Sequence, residues 1–181
     1  MDAIQAIMTR RSVRNYETDK PISDEAIKTL LSAAMNAPSA GNQQPWFFIV
    51  FDDLLIKQEI VNDHPYAHML KKAPLGILVC ENKKNEKYSD SGVLDCSAAT
   101  QNILIAANAL GIGSVWVGVY PEEDRIRNMR RIFHLPDHIV PISIVALGYA
   151  NKAGKEIVRY SEDRIFYNVW EQTKDNNDKG I

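Results

Sequence analysis

The sequence predicts one α+β or α/β sandwich, in which helices flank a small sheet. Two observations support this: predicted helices outnumber the apolar strands between them, and the 181 residues are 45% hydrophobic and 24% charged, as in a globular domain with one core. No repeat or change of composition divides the chain. Residues 1–173 are therefore predicted to form a single domain, and residues 174–181 a disordered tail.

The elements follow from capping residues and apolar spacing. Asp2 and Ser23 are predicted N-caps of two helices, the second of which ends before Pro38. Apolar runs predict strands at 46–51, 75–80, 115–120 and 139–147, and Pro141 marks the last as an edge strand or a bulged one. The apolar spacing of residues 122–133 predicts an amphipathic helix. Residues 53–72 show no clear period, and residues 82–91 are charged and loop-like.

The longest predicted helix, over residues 94–111, is apolar on nearly every side. Such a helix has to be covered all round. Large apolar residues, including Phe166 and Trp170, also follow the last strand. They predict an arm that lies on another surface.

Composition excludes several classes of protein. A net charge of −2, from 21 basic and 23 acidic residues, argues against nucleic-acid binding. Cys80 and Cys96 lie in apolar runs, which indicates buried reduced thiols and a cytoplasmic location. We expect no signal peptide, because residues 1–5 show no basic segment followed by an apolar one. We expect no membrane partner, because no apolar run reaches the roughly 18 residues that span a bilayer.

Cations and a hydroxyl are concentrated just after the first helix. Arg10, Arg11, Ser12 and Arg14 lie within five residues, and these are the groups that a phosphate site needs. Arginines near a helix C-terminus can instead satisfy its free carbonyls. Arg159 could join a phosphate site or be a solvated residue.

A neutral polar loop, residues 38–46, joins the second helix to the first strand. It carries Pro38, Ser39, Asn42 and two glutamines without any charge. Neutral donors and acceptors suit a flat polar heterocycle or a ribityl chain. The alternative is a connector in which these residues serve only turn chemistry.

Residues 111–118 contain three glycines but not a dinucleotide-binding fingerprint, because here the glycines end a helix and a strand follows. Gly118 marks either close approach of a ligand to the strand or a bulge. Asp95 is explained as a dipole partner at a helix N-terminus. The four histidines are interpreted as surface or loop residues, and no metal site is predicted.

These motifs occur in the order found in the FMN-dependent nitroreductase family, and the chain resembles a short member of it from residue 2 to about residue 170. The motifs are Arg10–Tyr16, Ala37–Trp46, Gly111–Gly118 and Arg159. The resemblance implies an α+β sandwich with a mixed sheet, an obligate homodimer and FMN at the dimer interface. The long apolar helix would lie at that interface.

The positions of this sequence that match the family's motifs indicate its site residues. The resemblance implies that Arg10, Ser12 and Arg14 hold the phosphate and the polar edge of the flavin, with Arg11 close by and Arg159 on the phosphate. Pro38, Ser39 and Asn42 would come from the other subunit. Trp116, Val117 and Gly118 would lie along the isoalloxazine, with backbone near its N5.

The implied chemistry belongs to the flavin, so no side-chain nucleophile is required. NAD(P)H would pass hydride to FMN, and a nitroaromatic, quinone or similar small-molecule acceptor would then take the same place in a ping-pong reaction. A non-catalytic flavin-binding or redox-sensing module is the alternative. Neither the acceptor nor the choice of NADH or NADPH follows from the sequence.

Overall fold

Residues 1–150 and 157–170 are described by the computed structural model; the tail predicted at 174–181 lies outside these residues. The described residues contain five α-helices and four strands. They are, in chain order, α1 Ala3–Thr9, α2 Asp24–Met35, β1 Trp46–Phe51, α3 Leu54–Asp63, β2 Leu75–Asn82, α4 Gly92–Ala109, β3 Gly113–Gly118, α5 Glu123–Ile132 and β4 Ile139–Gly148.

The strands form one sheet in the order β1-β2-β4-β3, and each of the three strand pairings is antiparallel. Parallel pairing enters only as a bridge between Ser12 and Ser114. The sheet in the described residues is therefore mixed only at this edge. Strand direction is not readable from the sequence, because helices cover both faces and leave continuous apolar runs whatever the direction.

Alternate residues of the central strands enter two cores. Ile77 and Val79 pack towards α2 and α4, whereas Leu78 and Cys80 pack towards α3 and α5. β4 lies between β2 and β3, so the edge position inferred from Pro141 is wrong and the bulge is confirmed. The register shifts opposite Pro141, between Val79 and Cys80.

α3 is a helix that the sequence pattern does not reveal. Its buried side chains are Lys57 and Ile60, too few to give an apolar period. Lys57 can be buried because its ammonium donates to the carbonyls of Ala73 and Pro74 at 2.9 and 3.0 Å. The cap on Asp53, which accepts from the N–H groups of Leu55 and Ile56, is the signal that could have found it.

α4 is covered largely by its own chain. Asn102 donates to the Ala33 carbonyl of α2 at 2.9 Å, and Asn108 donates to the Ala6 carbonyl of α1 at 2.9 Å. Leu94, at 71% exposed, is its most open apolar side chain. Apolar side chains stay exposed mainly on α1, at the start of α3 and in residues 157–170, for example Ile4, Leu55, Val158 and Trp170.

Candidate functional site

The arginine segment runs beside β3. Ser12 pairs with Ser114, and the N–H of Val13 donates to the Ser114 carbonyl at 2.9 Å. Tyr16 then anchors the segment through its hydroxyl, which donates to the carbonyls of Val13 and Ala146 at 2.6 and 3.1 Å. Ser12 and Arg14 stay exposed along this edge.

Positive charge is concentrated at the end of α1. Burial lowers the pKa of Arg10, and the nearby charges of Arg11 and Arg159 lower it further. The charge of Arg159, from the segment after β4, therefore acts on Arg10. Within residues 1–150 and 157–170, none of the ion pairs involves Arg10, Arg14 or Arg159. Such a cluster is suited to an anion with several oxygens.

Arg11 has a different role from its neighbours. It is half-buried, and its Nη1 donates to the carbonyls of Met8 and Arg10 at 2.9 and 2.7 Å. These are carbonyls at the end of α1. Arg11 thus satisfies free carbonyls at the C-terminus of α1, which was the alternative interpretation of the arginine cluster.

β3 presents Trp116, Val117 and Gly118 in different ways. Trp116 is half-buried beside the α2–α4 core, whereas the side chain of Val117 is buried in the other core. A ligand could therefore reach Val117 only through its backbone. Gly118 has no atom within 4 Å of the position of an added Cβ. Its pairing with Ser143 continues the β3–β4 register, so Gly118 itself is not a bulged residue. The irregularity comes directly after it, where the N–H groups of Val119 and Tyr120 both donate to the Ile142 carbonyl.

Two side chains outside the predicted site bind the carbonyl of Gly118. His64 Nε2 lies 2.8 Å from this oxygen, and Arg125 Nη1 donates to it at 3.2 Å. His64 lies in the loop after α3, as one of the two interpretations predicted, but it is only 2% exposed, so it is not a surface histidine. Nothing in the pattern of residues 53–72 pointed to this contact.

The neutral loop before β1 has an unusual backbone. Gly41, Asn42 and Gln44 have φ values of 52°, 53° and 48°, in the left-handed region that favours glycine and asparagine. Ser39 Oγ accepts from the Gln44 N–H at 3.1 Å. Pro38 and Asn42 are exposed and Ser39 is half-buried, so this part of the loop is open to a ligand at the surface.

Asp95 binds this loop from the first turn of α4. Its Oδ1 accepts from the Ala40 N–H at 3.0 Å, and its Oδ2 accepts from Gln43 Nε2 at 2.6 Å. The sequence pattern indicates only a helix-dipole role for Asp95 and no separate role for Gln43. The partners lie too far apart in the chain for any local pattern to connect them.

Within one copy of the chain, the neutral loop and the arginine segment lie far apart. The loop contacts α4 at Asp95, whereas α1, which leads into Arg10, contacts α4 at Asn108. At about 1.5 Å of rise per residue, these two positions lie about 20 Å apart along the helix. The loop also precedes β1, at the opposite edge of the sheet from β3.

The described residues contain no group of three or more His, Cys, Asp or Glu side chains arranged to hold a metal ion. Both cysteines are free and buried. In the part of the chain that the structure describes, no helix has the length and apolarity that crossing a membrane would demand.

Comparison with known proteins reveals one consistent similarity. The sequence model of the nitroreductase family matches residues 7–63 and 56–149. A protein of Archaeoglobus fulgidus, provisionally named NADH dehydrogenase/NAD(P)H nitroreductase, is 47% identical over 93% of this chain and 99% of its own.

Solved structures agree with the sequence comparison. A protein of Parabacteroides distasonis with the same provisional name has a TM-score of 0.89 and 38% identity, over 93% of this chain and 98% of its own. A provisionally named nitroreductase of Desulfovibrio desulfuricans, solved in complex with FMN, has a TM-score of 0.80 and 28% identity, over 94% and 99% of the two chains.

Proposed function

This chain belongs to the nitroreductase family, and we propose that it reduces nitroaromatics, quinones or similar acceptors with electrons from NAD(P)H through bound FMN. The observation that carries this proposal is the position of the arginine segment beside β3, where the charges of Arg11 and Arg159 both act on Arg10. Three guanidinium groups placed together repel one another unless an anion joins them. A flavin nucleotide brings a phosphate to such a site.

The donor set fits FMN. Arg10, Arg14 and Arg159 would hold the phosphate, and Ser12 offers an exposed hydroxyl beside them. The open face at Gly118 leaves room for a flat ring against the backbone of β3. Bound FMN would supply hydride transfer between the nicotinamide and an acceptor, which would occupy one pocket in turn.

We propose that two copies of the chain complete each site. The support is the separation of about 20 Å between the loop and the arginine segment along α4. Pro38, Ser39 and Asn42 of one copy would meet the arginines of the other. Exposed apolar groups on α1 and in residues 157–170, such as Ile4 and Trp170, offer the surface that a homodimer would bury.

The free, buried cysteines fit a cytoplasmic protein. Burial raises the pKa of the Cys80 thiol to about 12, so this thiol is inert rather than catalytic. The chemistry therefore depends on the flavin site, and we assign no side-chain nucleophile.

The experiment is an absorption spectrum of the purified protein, followed by FMN titration and an NAD(P)H oxidation assay with a nitroaromatic and a quinone. We expect flavin bands, saturable FMN binding and turnover with at least one acceptor. Flavin bands without turnover would indicate a binding or sensing module. A protein that does not bind added FMN would contradict the proposal.

A further inference from the structure

We propose that Asp95 and Gln43 are positioning residues that hold residues 38–44 in the shape presented to FMN; this inference rests on the FMN site proposed above. Neither residue is among the groups expected to touch the flavin. Both are only 6% exposed, and each is connected to the loop by hydrogen bonds that water cannot easily replace.

The Asp95 carboxylate uses both of its oxygens on the loop. Oδ1 accepts the Ala40 N–H at 3.0 Å and Oδ2 accepts Gln43 Nε2 at 2.6 Å. The helix α4 is anchored to α1, α2 and the sheet, so it offers a rigid base. The charged acceptor makes these bonds stronger than bonds between neutral groups.

Gln43 extends the connection to a second loop. Its Oε1 accepts the backbone N–H groups of Lys87 and Tyr88 at 2.8 and 3.2 Å. The ring of Tyr88 lies directly against Gly41, where an added Cβ would collide with it. Asp95 and Gln43 therefore tie together α4, the neutral loop and residues 87–88.

The backbone of the loop needs such support. Asn42 and Gln44 both have positive φ values, 53° and 48°, and non-glycine residues in this region persist where their surroundings hold them. Within the loop itself, Ser39 Oγ and Asn42 Oδ1 each accept one hydrogen bond from Gln44. The bonds from Asp95 and Gln43 fix the loop to the rest of the domain.

Reversing the polarity of the Asp95–Gln43 pair tests this proposal. In Asp95→Asn, an amide faces the Gln43 amide, and in Gln43→Glu, two carboxylates face each other. In the double variant Asp95→Asn/Gln43→Glu, the new amide at position 95 can donate to the new carboxylate at position 43, while the acceptors for Ala40, Lys87 and Tyr88 are all retained. The net charge of the double variant is unchanged.

Two measurements are made on wild type, both single variants and the double variant: the FMN dissociation constant by fluorescence, and hydrogen exchange at the amides of Ala40, Lys87 and Tyr88 without FMN. We expect each single variant to weaken FMN binding by about tenfold to a hundredfold and to speed exchange at these amides. The double variant should bind FMN within about threefold of wild type and regain slow exchange.

Asp53→Asn is the matched control, since Asp53 also accepts two backbone N–H groups, at the start of α3. Its FMN affinity should stay within about twofold of wild type, because surface changes remote from a site act independently of it. Single variants that bind FMN like wild type would overturn the proposal, as would a double variant no better than the singles. Wild type that fails to bind FMN would instead contradict the proposed function, and the exchange data would still test the role of the pair.

Discussion

His64 and Gly118 are joined by a hydrogen bond, with His64 Nε2 2.8 Å from the Gly118 carbonyl oxygen. The N–H of Tyr66 donates to His64 Nδ1 at 3.2 Å, so Nδ1 is an acceptor and Nε2 carries the proton. A neutral imidazole from the segment before β2 thus fixes the end of β3. This is the part of the strand that we propose lies along the flavin.

Replacing His64 should destabilise the protein. His64→Ala leaves a buried cavity and removes one of the two donors to the Gly118 carbonyl, so we expect a loss of about 1–3 kcal/mol in the free energy of unfolding. Urea denaturation measures it. His68→Ala is the control, since His68 is exposed, and it should change stability by less than about 0.5 kcal/mol. Equal losses in the two variants would contradict the role of His64.

Stability should also depend on pH through His64. Burial lowers the pKa of His64, and the charge of Arg125 adds to this, so the folded protein resists protonation here. Below the ordinary histidine pKa of about 6.5, the unfolded chain takes up a proton that folded His64 does not. The stability of wild type should therefore fall relative to that of His64→Gln as the pH decreases from about 6.5 towards the lowered pKa.

Comparing these two proteins removes the contribution of other groups. Glu81, whose pKa burial raises, titrates with the opposite sign: it favours the folded state at low pH, and this stabilisation is lost as the pH rises. Both proteins contain it, so it cancels in the difference. A stability difference that stays constant between about pH 7.5 and 5 would show that His64 is not held neutral.

Much of the fold was predictable because its signals are local. Ser23 Oγ accepts from the Ala26 N–H and caps α2 as predicted, and the predicted first strand matches β1 residue for residue. What could not be predicted depends on distant partners. The buried ammonium of Lys57 donates to the Ala73 carbonyl, 16 residues further along the chain. The buried ring of His64 is hydrogen-bonded to the Gly118 carbonyl, 54 residues away.

In the candidate site too, some residues are predictable from local sequence and others depend on distant partners. The charge around Arg10 predicts an anion site, and the neutral amides of the loop before β1 predict a site for a polar ligand. Both predictions follow from residue type alone. Asp95 resembles an ordinary helix-dipole residue until its bond to Gln43 is seen. The long apolar helix suggested an interface, but α1 and α2 of the same chain cover much of α4. The separation of loop and arginines is the stronger argument for two copies.

The phosphate contacts should distinguish FMN from riboflavin, which has no phosphate. Arg159→Ala and Arg14→Ala each remove a charge-assisted contact, so each should weaken FMN binding about tenfold to a hundredfold. Riboflavin affinity should change by less than about threefold, since its ring contacts remain. Fluorescence titration measures both. Arg164→Ala is the control on the same exposed segment as Arg159; equal losses for FMN and riboflavin would remove these arginines from the phosphate site.

Kinetics should follow a ping-pong scheme if donor and acceptor share one pocket. Double-reciprocal plots at several acceptor concentrations should then give parallel lines. His64, His68, His134 and His138 supply no essential acid or base in this account, so exchanging any one for Gln should lower kcat by less than about tenfold. Intersecting lines would show that both substrates bind together, and a loss of about a thousandfold in one histidine variant that retains FMN would reveal a catalytic residue.

The central claim is that each FMN site combines the arginine segment of one copy with the neutral loop of another. One variant would carry Arg10→Ala and Arg14→Ala, and the other Pro38→Glu and Asn42→Asp, with Asp chosen because it tolerates the positive φ of 53° at this position. Each homodimer should lose FMN. Co-expressed with two different tags and purified through both, the heterodimer has one site with both halves intact and one with both altered. The FMN content of this heterodimer is the deciding measurement: we predict about half the wild-type FMN per chain, and a heterodimer as devoid of FMN as its parents would show that each chain builds its own site.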